Sequence, residues 1–125
     1  MITIDYKSRV PIYDQITGGI IRLKTLGVLN GGDKLPSVRA LAIKLGINPN
    51  TVQKAYAILE TEGIIYSVSG KGSFISEDTS AADAILATAA DEFRMSVEAA
   101  RRMGLDRARL NEIIAEIYEG GKNDD

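Results

Sequence analysis

A short run of polar side chains near the middle of the chain is the segment best suited to chemistry. Its members are Asn50, Thr51, Gln53 and Lys54. Amide, hydroxyl and ammonium groups can form hydrogen bonds with the edges of nucleic-acid bases, and they can bind phosphate. The same residues are also compatible with an ordinary hydrophilic helix face that contacts only water. The choice between these interpretations depends on the elements that position them.

Other kinds of chemistry are poorly represented in the 125 residues. Cysteine and histidine are both absent, which excludes disulfides, thiolate metal sites, histidine general bases and nearly all zinc sites. The carboxylates that remain fall in patterns typical of solvated helix faces: Glu60, Glu62, Asp91 and Glu92. We therefore predict no catalytic residue, no metal site and no cofactor, and we expect that the protein is not an enzyme.

Charge is distributed unevenly along the chain. The net charge is -2, but residues 34–71 contain five basic and two acidic residues, whereas residues 79–125 contain six basic and ten acidic residues. A mildly basic middle followed by an acidic tail suggests two different tasks. The sequence has no apolar run typical of a signal peptide or a membrane span. We expect a cytoplasmic protein that makes no membrane contact.

Apolar residues at three- and four-residue spacing predict three helices in the first half of the chain. The first follows Pro11 and ends near Gly27. Ser37 is the predicted N-cap of the second helix, and Gly46 ends it. Asn48 followed by a proline predicts the start of the third, which Gly63 ends. Their apolar positions are, in order, Ile12, Ile16, Ile20 and Leu23; Val38, Leu41, Ala42 and Leu45; and Val52, Ala55, Tyr56 and Leu59.

The pattern changes after Gly63. Residues 64–68 and 74–75 are rich in strand formers, and a Gly-Lys-Gly turn at 70–72 separates them, which predicts a β-hairpin. Helical spacing resumes near Thr79, breaks at Gly104 and continues after a predicted N-cap at Asp106. The first of these tail helices carries a narrow apolar seam: Leu86, Ala90, Phe93, Val97 and Ala100. Because a small domain offers it limited apolar surface, we expect this seam to lie partly between subunits.

A helix pair with a short turn, followed by a hairpin, is the order of a winged helix-turn-helix. We predict an α+β protein that is mostly α. Its winged helix-turn-helix DNA-binding domain spans residues 1–76, and a short two-helix dimerisation tail spans residues 77–125. In such a fold the second helix of the pair enters the major groove of DNA, and the hairpin contacts flanking backbone or minor groove.

Four segments closely resemble the GntR family of bacterial regulators. They are LPSVRALA at 35–42, INPNTVQKAY at 47–56, LETEG at 59–63 and GKGSF at 70–74. The start of the third helix and the short helical tail resemble the YtrA subfamily. The sequence departs from other branches at Pro49 and Gln53, where arginines are often found, and at Ala40, where glutamate is common. These departures bear on base preference rather than on the mode of binding.

The resemblance implies that Arg39 contacts a phosphate or a base edge, for which a planar guanidinium is suited. Lys71, at the tip of the hairpin, can neutralise a phosphate while the flanking glycines let the backbone approach closely. Each assignment has a plainer alternative: a solvated arginine, helix caps at Ser37 and Asn48, and a simple hairpin turn. The full predicted set of DNA-binding residues is Ser37, Arg39, Asn48, Asn50, Thr51, Gln53, Lys54, Lys71 and Gly72.

The resulting hypothesis is a homodimeric transcriptional regulator that binds a pseudo-palindromic site in double-stranded DNA. By analogy with the subfamily, we expect a repressor of its own operon and of adjacent transporter genes. No ligand constellation identifies a small-molecule effector. The alternative is a winged-helix module that binds proteins and not DNA, although the basic middle of the chain and its polar helix face speak against it.

Overall fold

Five helices and one β-hairpin make up the part of the chain that the computed structural model describes, residues 2–123. The elements are α1 (Ile12–Thr25), α2 (Val38–Leu45), α3 (Pro49–Thr61), β1 (Ile65–Val68), β2 (Gly72–Ile75), α4 (Ser80–Arg102) and α5 (Arg107–Asn123). The predicted fold class is confirmed: the chain is mostly α, and a winged helix-turn-helix precedes two further helices.

The core of the winged part is built around α3. Its stripe of Val52, Ala55, Tyr56 and Leu59 is buried, and α3 packs against α1, α2 and β1. The largest side chains that are fully removed from solvent come from three elements and one connection: Ile16, Ile20, Val52, Leu59, Ile64 and Ile75. Because α3 is anchored along one stripe by these contacts, the opposite face of the helix is held in a fixed orientation.

The hairpin is the wing of this fold, and a third backbone segment that the sequence does not predict pairs with it. β1 and β2 pair antiparallel from Ile65 opposite Ile75 to Val68 opposite Gly72. Residues 32–35 then run along the free edge of β2, where the Leu35 amide donates to the Ser73 carbonyl at 2.9 Å and Lys34 bridges Phe74. The connection before α2 and the wing are therefore joined by backbone hydrogen bonds.

Residues 32–35 can pair with β2 because the backbone at Gly31 passes close to the backbone at Glu77. A Cβ on Gly31 would lie 2.7 Å from the Cα of Glu77, closer than two such atoms can pack. The Gly32 amide, next in the chain, donates to the Ile75 carbonyl at 2.8 Å. Glycine at position 31 is thus required by the space beside residue 77, where the chain leaves the wing.

The contacts divide the chain into two compact units, Met1–Asp83 and Ala84–Asp125. In the second unit the predicted break between helices is confirmed: Gly104 has a φ of 100°, and the Asp106 carboxylate accepts from the Arg109 amide at 2.9 Å. Two members of the predicted seam, Leu86 and Phe93, are 43% and 54% exposed in the single chain. The assignment of separate functions to residues 1–76 and 77–125 stays a prediction.

Candidate nucleic-acid interface

Ser37 and Asn48 cap the two helices of the helix-turn-helix. The Ser37 hydroxyl oxygen accepts from the Ala40 amide at 3.1 Å, and the Asn48 side-chain oxygen accepts from the Asn50 amide at 2.8 Å. Each cap satisfies an N–H that the first helical turn leaves unpaired. Capping uses an acceptor on each side chain, so the Ser37 O–H and the Asn48 amide N–H groups keep their capacity to donate to another partner.

The turn between these helices is set by Gly46 and supported from the N-terminus of the chain. Gly46 adopts the left-handed conformation with a φ of 68°, as predicted for a C-terminal cap. The Tyr6 hydroxyl donates to the Leu45 carbonyl at 3.0 Å. The segment before α1 therefore lies beside the turn. Local spacing in the sequence gives no signal of a contact between residues 39 positions apart.

α3 presents a polar face directly opposite its buried stripe. Successive residues of an α-helix are rotated by about 100°, which places Asn50, Gln53, Lys54 and Ala57 within an arc of about 100° on the far side from the core. All four are exposed, whereas Thr51 lies at the margin and is half-buried. Ala57 was not among the predicted residues, although a small apolar side chain here could contact a thymine methyl group.

The one charged side chain on this face is held against α1. The Lys54 ammonium lies 3.7 Å from the centroid of the Tyr13 ring, a cation–π contact. This contact draws the charge toward α1, so Asn50, Gln53 and Ala57 form the uncharged remainder of the face. The sequence indicated Lys54 as a DNA contact but gave no sign of its aromatic partner.

Arg39 lies in the first turn of α2, outside the buried stripe, and its side chain is exposed. Among the side chains that the structure describes, the ion pairs within 4.0 Å all belong to the tail helices and involve Arg94 and Arg109. The guanidinium of Arg39 is therefore not committed to a described carboxylate. An exposed arginine of this kind can bind a phosphate or guanine through two parallel hydrogen bonds.

A groove of about 420 Å³ lies between the start of α2 and the wing. Its polar lining residues include Ser37, Lys71 and several serines of the wing, and the residues described along it include no carboxylate. Lys71 is exposed at the tip, between Gly70 and Gly72, which have φ values of 74° and 118°. The predicted residues Ser37, Lys71 and Gly72 thus come together here, apart from the polar face of α3.

Tyr56 connects the recognition helix to this groove. Its hydroxyl donates to the Pro36 carbonyl at 2.7 Å, and burial raises the pKa of the phenol to about 12. The phenol therefore remains protonated and donates at any physiological pH. The bond fixes Pro36, and with it the start of α2, relative to α3.

A comparison with family models identifies residues 12–75 as a match to the bacterial regulatory proteins of the gntR family. The chain belongs to the GntR family. The matched region runs from the start of α1 to the end of β2, so it contains the helix pair, the wing and every predicted DNA-binding residue. The predicted family is confirmed.

Relatives and solved structures agree with this assignment. The chain is 41% identical to the HTH-type transcriptional repressor YtrA of Bacillus subtilis over 130 aligned positions, covering 100% of both chains. The crystal structure of a transcriptional antiterminator from Listeria monocytogenes EGD-e matches with a TM-score of 0.76 and 35% identity, over 94% of this chain and 90% of that one. The full-length similarity to YtrA supports the predicted subfamily.

A second similar structure contains DNA. The DNA-binding domain of AraR in complex with operator ORX1 matches with a TM-score of 0.53 and 28% identity, over 58% of this chain and 90% of that one. These proteins are regulators of transcription rather than enzymes, as predicted for this chain. At the level of the family, this GntR protein is a helix-turn-helix transcriptional regulator. No helix in the described part of the chain has the length and apolar character to cross a membrane.

Proposed function

We propose that this GntR protein is a sequence-specific DNA-binding repressor that acts as a homodimer on a pseudo-palindromic operator. The observation that carries the proposal is the polar face of α3, which is exposed opposite a fully buried stripe. A helix held in this way can enter the major groove, where each base pair presents a distinct pattern of donors and acceptors.

Two groups of residues are assigned different tasks in this proposal. Asn50 and Gln53 on α3 read base edges, since an amide can form two hydrogen bonds with adenine. Arg39 contacts a base edge or a phosphate. The other members of the set contact mainly the sugar-phosphate backbone: Ser37, Asn48, Thr51, Lys54, Lys71 and Gly72. Backbone contacts fix the register of a protein on the duplex but carry no base identity.

Footprinting of the purified protein on the region upstream of its own gene tests the proposal directly. We expect protection of a site with two-fold symmetry and with half-sites about one helical turn apart, or a multiple of it. Arg39→Ala should weaken binding by about 1 to 3 kcal/mol if Arg39 makes a bidentate base contact. Lack of any protection by the folded wild-type protein would favour the alternative of a protein-binding winged helix.

The proposed dimer uses the tail. Leu86 and Phe93 lie on the seam of α4, and Ile117 and Tyr118 on α5 are 68% and 75% exposed. Apolar side chains exposed along two successive helices are typical of a surface that a second copy covers. The acidic balance of the tail also makes this part of the chain unsuited to DNA.

Two variants of α4 test the dimer. Phe93→Glu places a charge on the seam and should convert the protein to monomers in analytical ultracentrifugation. Met95→Glu is the matched control, because Met95 is also exposed, at 69%, but lies about 200° around the helix from Phe93. A Phe93→Glu protein that remains dimeric would remove the seam from the interface.

The proposed targets are the protein's own operon and adjacent transporter genes, and the proposed location is the cytoplasm. The full-length similarity to a repressor supports repression, whereas the choice of targets follows from the resemblance to the YtrA subfamily. Transcript levels compared between a deletion strain and its parent test it, since genes that are directly repressed should rise in the deletion strain. Unchanged transcripts of the neighbouring genes would exclude them as targets.

A further inference from the structure

Lys34 has an environment that the sequence did not single out. It precedes α2 in the segment that pairs with β2, and its side chain is exposed. The side chain extends along the wing toward Gly72: a Cβ on Gly72 would lie 3.1 Å from the Lys34 Cε and 3.8 Å from the Nζ. The ammonium of Lys34 therefore lies beside Gly72, next to the tip of the wing, on the groove that Ser37 and Lys71 also line.

The neighbours of Lys34 do not neutralise its charge. The described residues that line the groove are serines, glycines, lysines and apolar or aromatic residues, without a carboxylate. The described ion pairs all lie in the tail helices. Two ammonium groups, those of Lys34 and Lys71, thus belong to one groove with serine hydroxyls and no counter-charge, a composition that suits a phosphate.

The lack of a side chain at Gly72 explains how the Lys34 side chain reaches this position. The Gly72 φ of 118° favours glycine, but the lack of a side chain also leaves the space that the Lys34 methylenes occupy. Backbone pairing of Lys34 with Phe74 fixes the origin of the side chain relative to the wing. These two contacts restrict the conformations of the Lys34 side chain before binding, so the side chain loses less conformational entropy when it binds a phosphate.

We propose that Lys34 is a further DNA-binding residue, which contacts a backbone phosphate in the groove between the start of α2 and the wing. The inference rests on the proposed function and adds a residue to it. A lysine is a point charge without base-reading geometry, so its contribution is independent of sequence and depends on salt. Lys34 and Lys71 then contact the DNA backbone from the same groove, near the tip of the wing.

The dependence of DNA affinity on salt tests this assignment. Each neutralised phosphate contributes about 0.9 to the slope of log affinity against log salt concentration. A homodimer of a variant that loses one phosphate contact per subunit loses two in all, so the slope falls by about 1.8 and the ratio of wild-type to variant affinity changes about 60-fold over a tenfold range of salt. Lys34→Gln should show this flatter slope, with equal weakening on the upstream fragment and on unrelated DNA. Lys34→Arg keeps the charge and should retain the wild-type slope.

Arg22→Gln is the matched control, because it removes the same charge from an exposed position on α1. It should leave the slope unchanged, and thermal melts should show all three variants folded. A wild-type slope in Lys34→Gln, or an equal change of slope in Arg22→Gln, would overturn the assignment of Lys34 while leaving the proposed function intact. Wild-type protein that binds neither fragment would overturn the proposed function and this inference together.

Discussion

Replacing Tyr56 with phenylalanine removes one hydroxyl from the centre of the winged unit. That hydroxyl donates at 2.7 Å to the half-buried Pro36 carbonyl, and the ring itself is 4% exposed. A hydrogen bond between neutral groups contributes about 0.5 to 1.5 kcal/mol, and the substitution leaves the carbonyl without its partner. We expect the free energy of unfolding to fall by about 1 kcal/mol, which lowers Tm by roughly 4 to 8 °C for a unit of this size.

Urea and thermal unfolding, followed by circular dichroism at one protein concentration, measure this effect. Tyr66→Phe is the control, because Tyr66 is 41% exposed and its hydroxyl makes no hydrogen bond within the part of the chain that the structure describes. If Tyr56→Phe and Tyr66→Phe were equally stable, the bond to Pro36 would contribute nothing. DNA affinity should change less than about threefold at a stability loss of about 1 kcal/mol, since the fold remains fully populated.

The pH dependence gives a second measurement on the same variant. The pKa of Tyr56 is raised to about 12 in the folded protein, whereas an unfolded chain ionises tyrosine at about 10. The unfolded state therefore releases its proton first, and the stability that Tyr56 contributes is complete below about pH 10 and lost as the pH rises toward about 12. Phenylalanine has no proton to release, so the variant should lose less stability over that interval. Parallel curves for the two proteins would refute the reasoning.

Three further predictions concern stability. Gly18→Ala should raise the free energy of unfolding by about 0.5 to 1 kcal/mol, because Gly18 is within α1 and its Cβ would have nothing within 4 Å; a lower Tm would contradict this. Gly31→Ala should lower the free energy of unfolding by about 1 to 3 kcal/mol, since the new methyl group meets the backbone of Glu77. An unchanged urea midpoint would show that the backbone near Glu77 moves aside at no cost in stability. Hydrogen bonds from Ser80 lower the pKa of Asp78, so the stability that Asp78 contributes is present above about pH 4 and lost as the pH falls through the lowered pKa. Asp78→Asn should therefore flatten the acid limb of a plot of unfolding free energy against pH. An acid limb identical to that of the wild type would exclude this role.

The parts of the fold that the sequence predicted are those with local causes. A cap such as Asn48 acts on an amide two residues away, and Gly46 ends its helix through its own conformation. The buried stripe of α3 follows from helical spacing alone. These signals located the helices, the hairpin and the exposed polar face of α3 without any knowledge of how the elements pack.

The features that the sequence did not predict depend on residues distant in the chain. The Tyr6 hydroxyl bonds to a carbonyl 39 residues away, the Lys54 ammonium lies on the ring of Tyr13, and Lys34 crosses Gly72. None of these pairs leaves a periodic pattern, because each depends on which elements are neighbours in space. These contacts alter the description of the site, because Lys54 contacts Tyr13 within the protein and Lys34 lines the groove beside the wing.

The cation–π contact of Lys54 has a consequence for how operator choice could evolve in this protein. With that charge drawn to Tyr13, the residues in the best position to distinguish bases, Asn50, Gln53 and Ala57, are all neutral. Substitutions among them could redirect the protein to a new DNA sequence while its response to ionic strength stays the same. Base preference and overall DNA affinity would then be set by different residues. A change in one of these properties would not require a compensating change in the other.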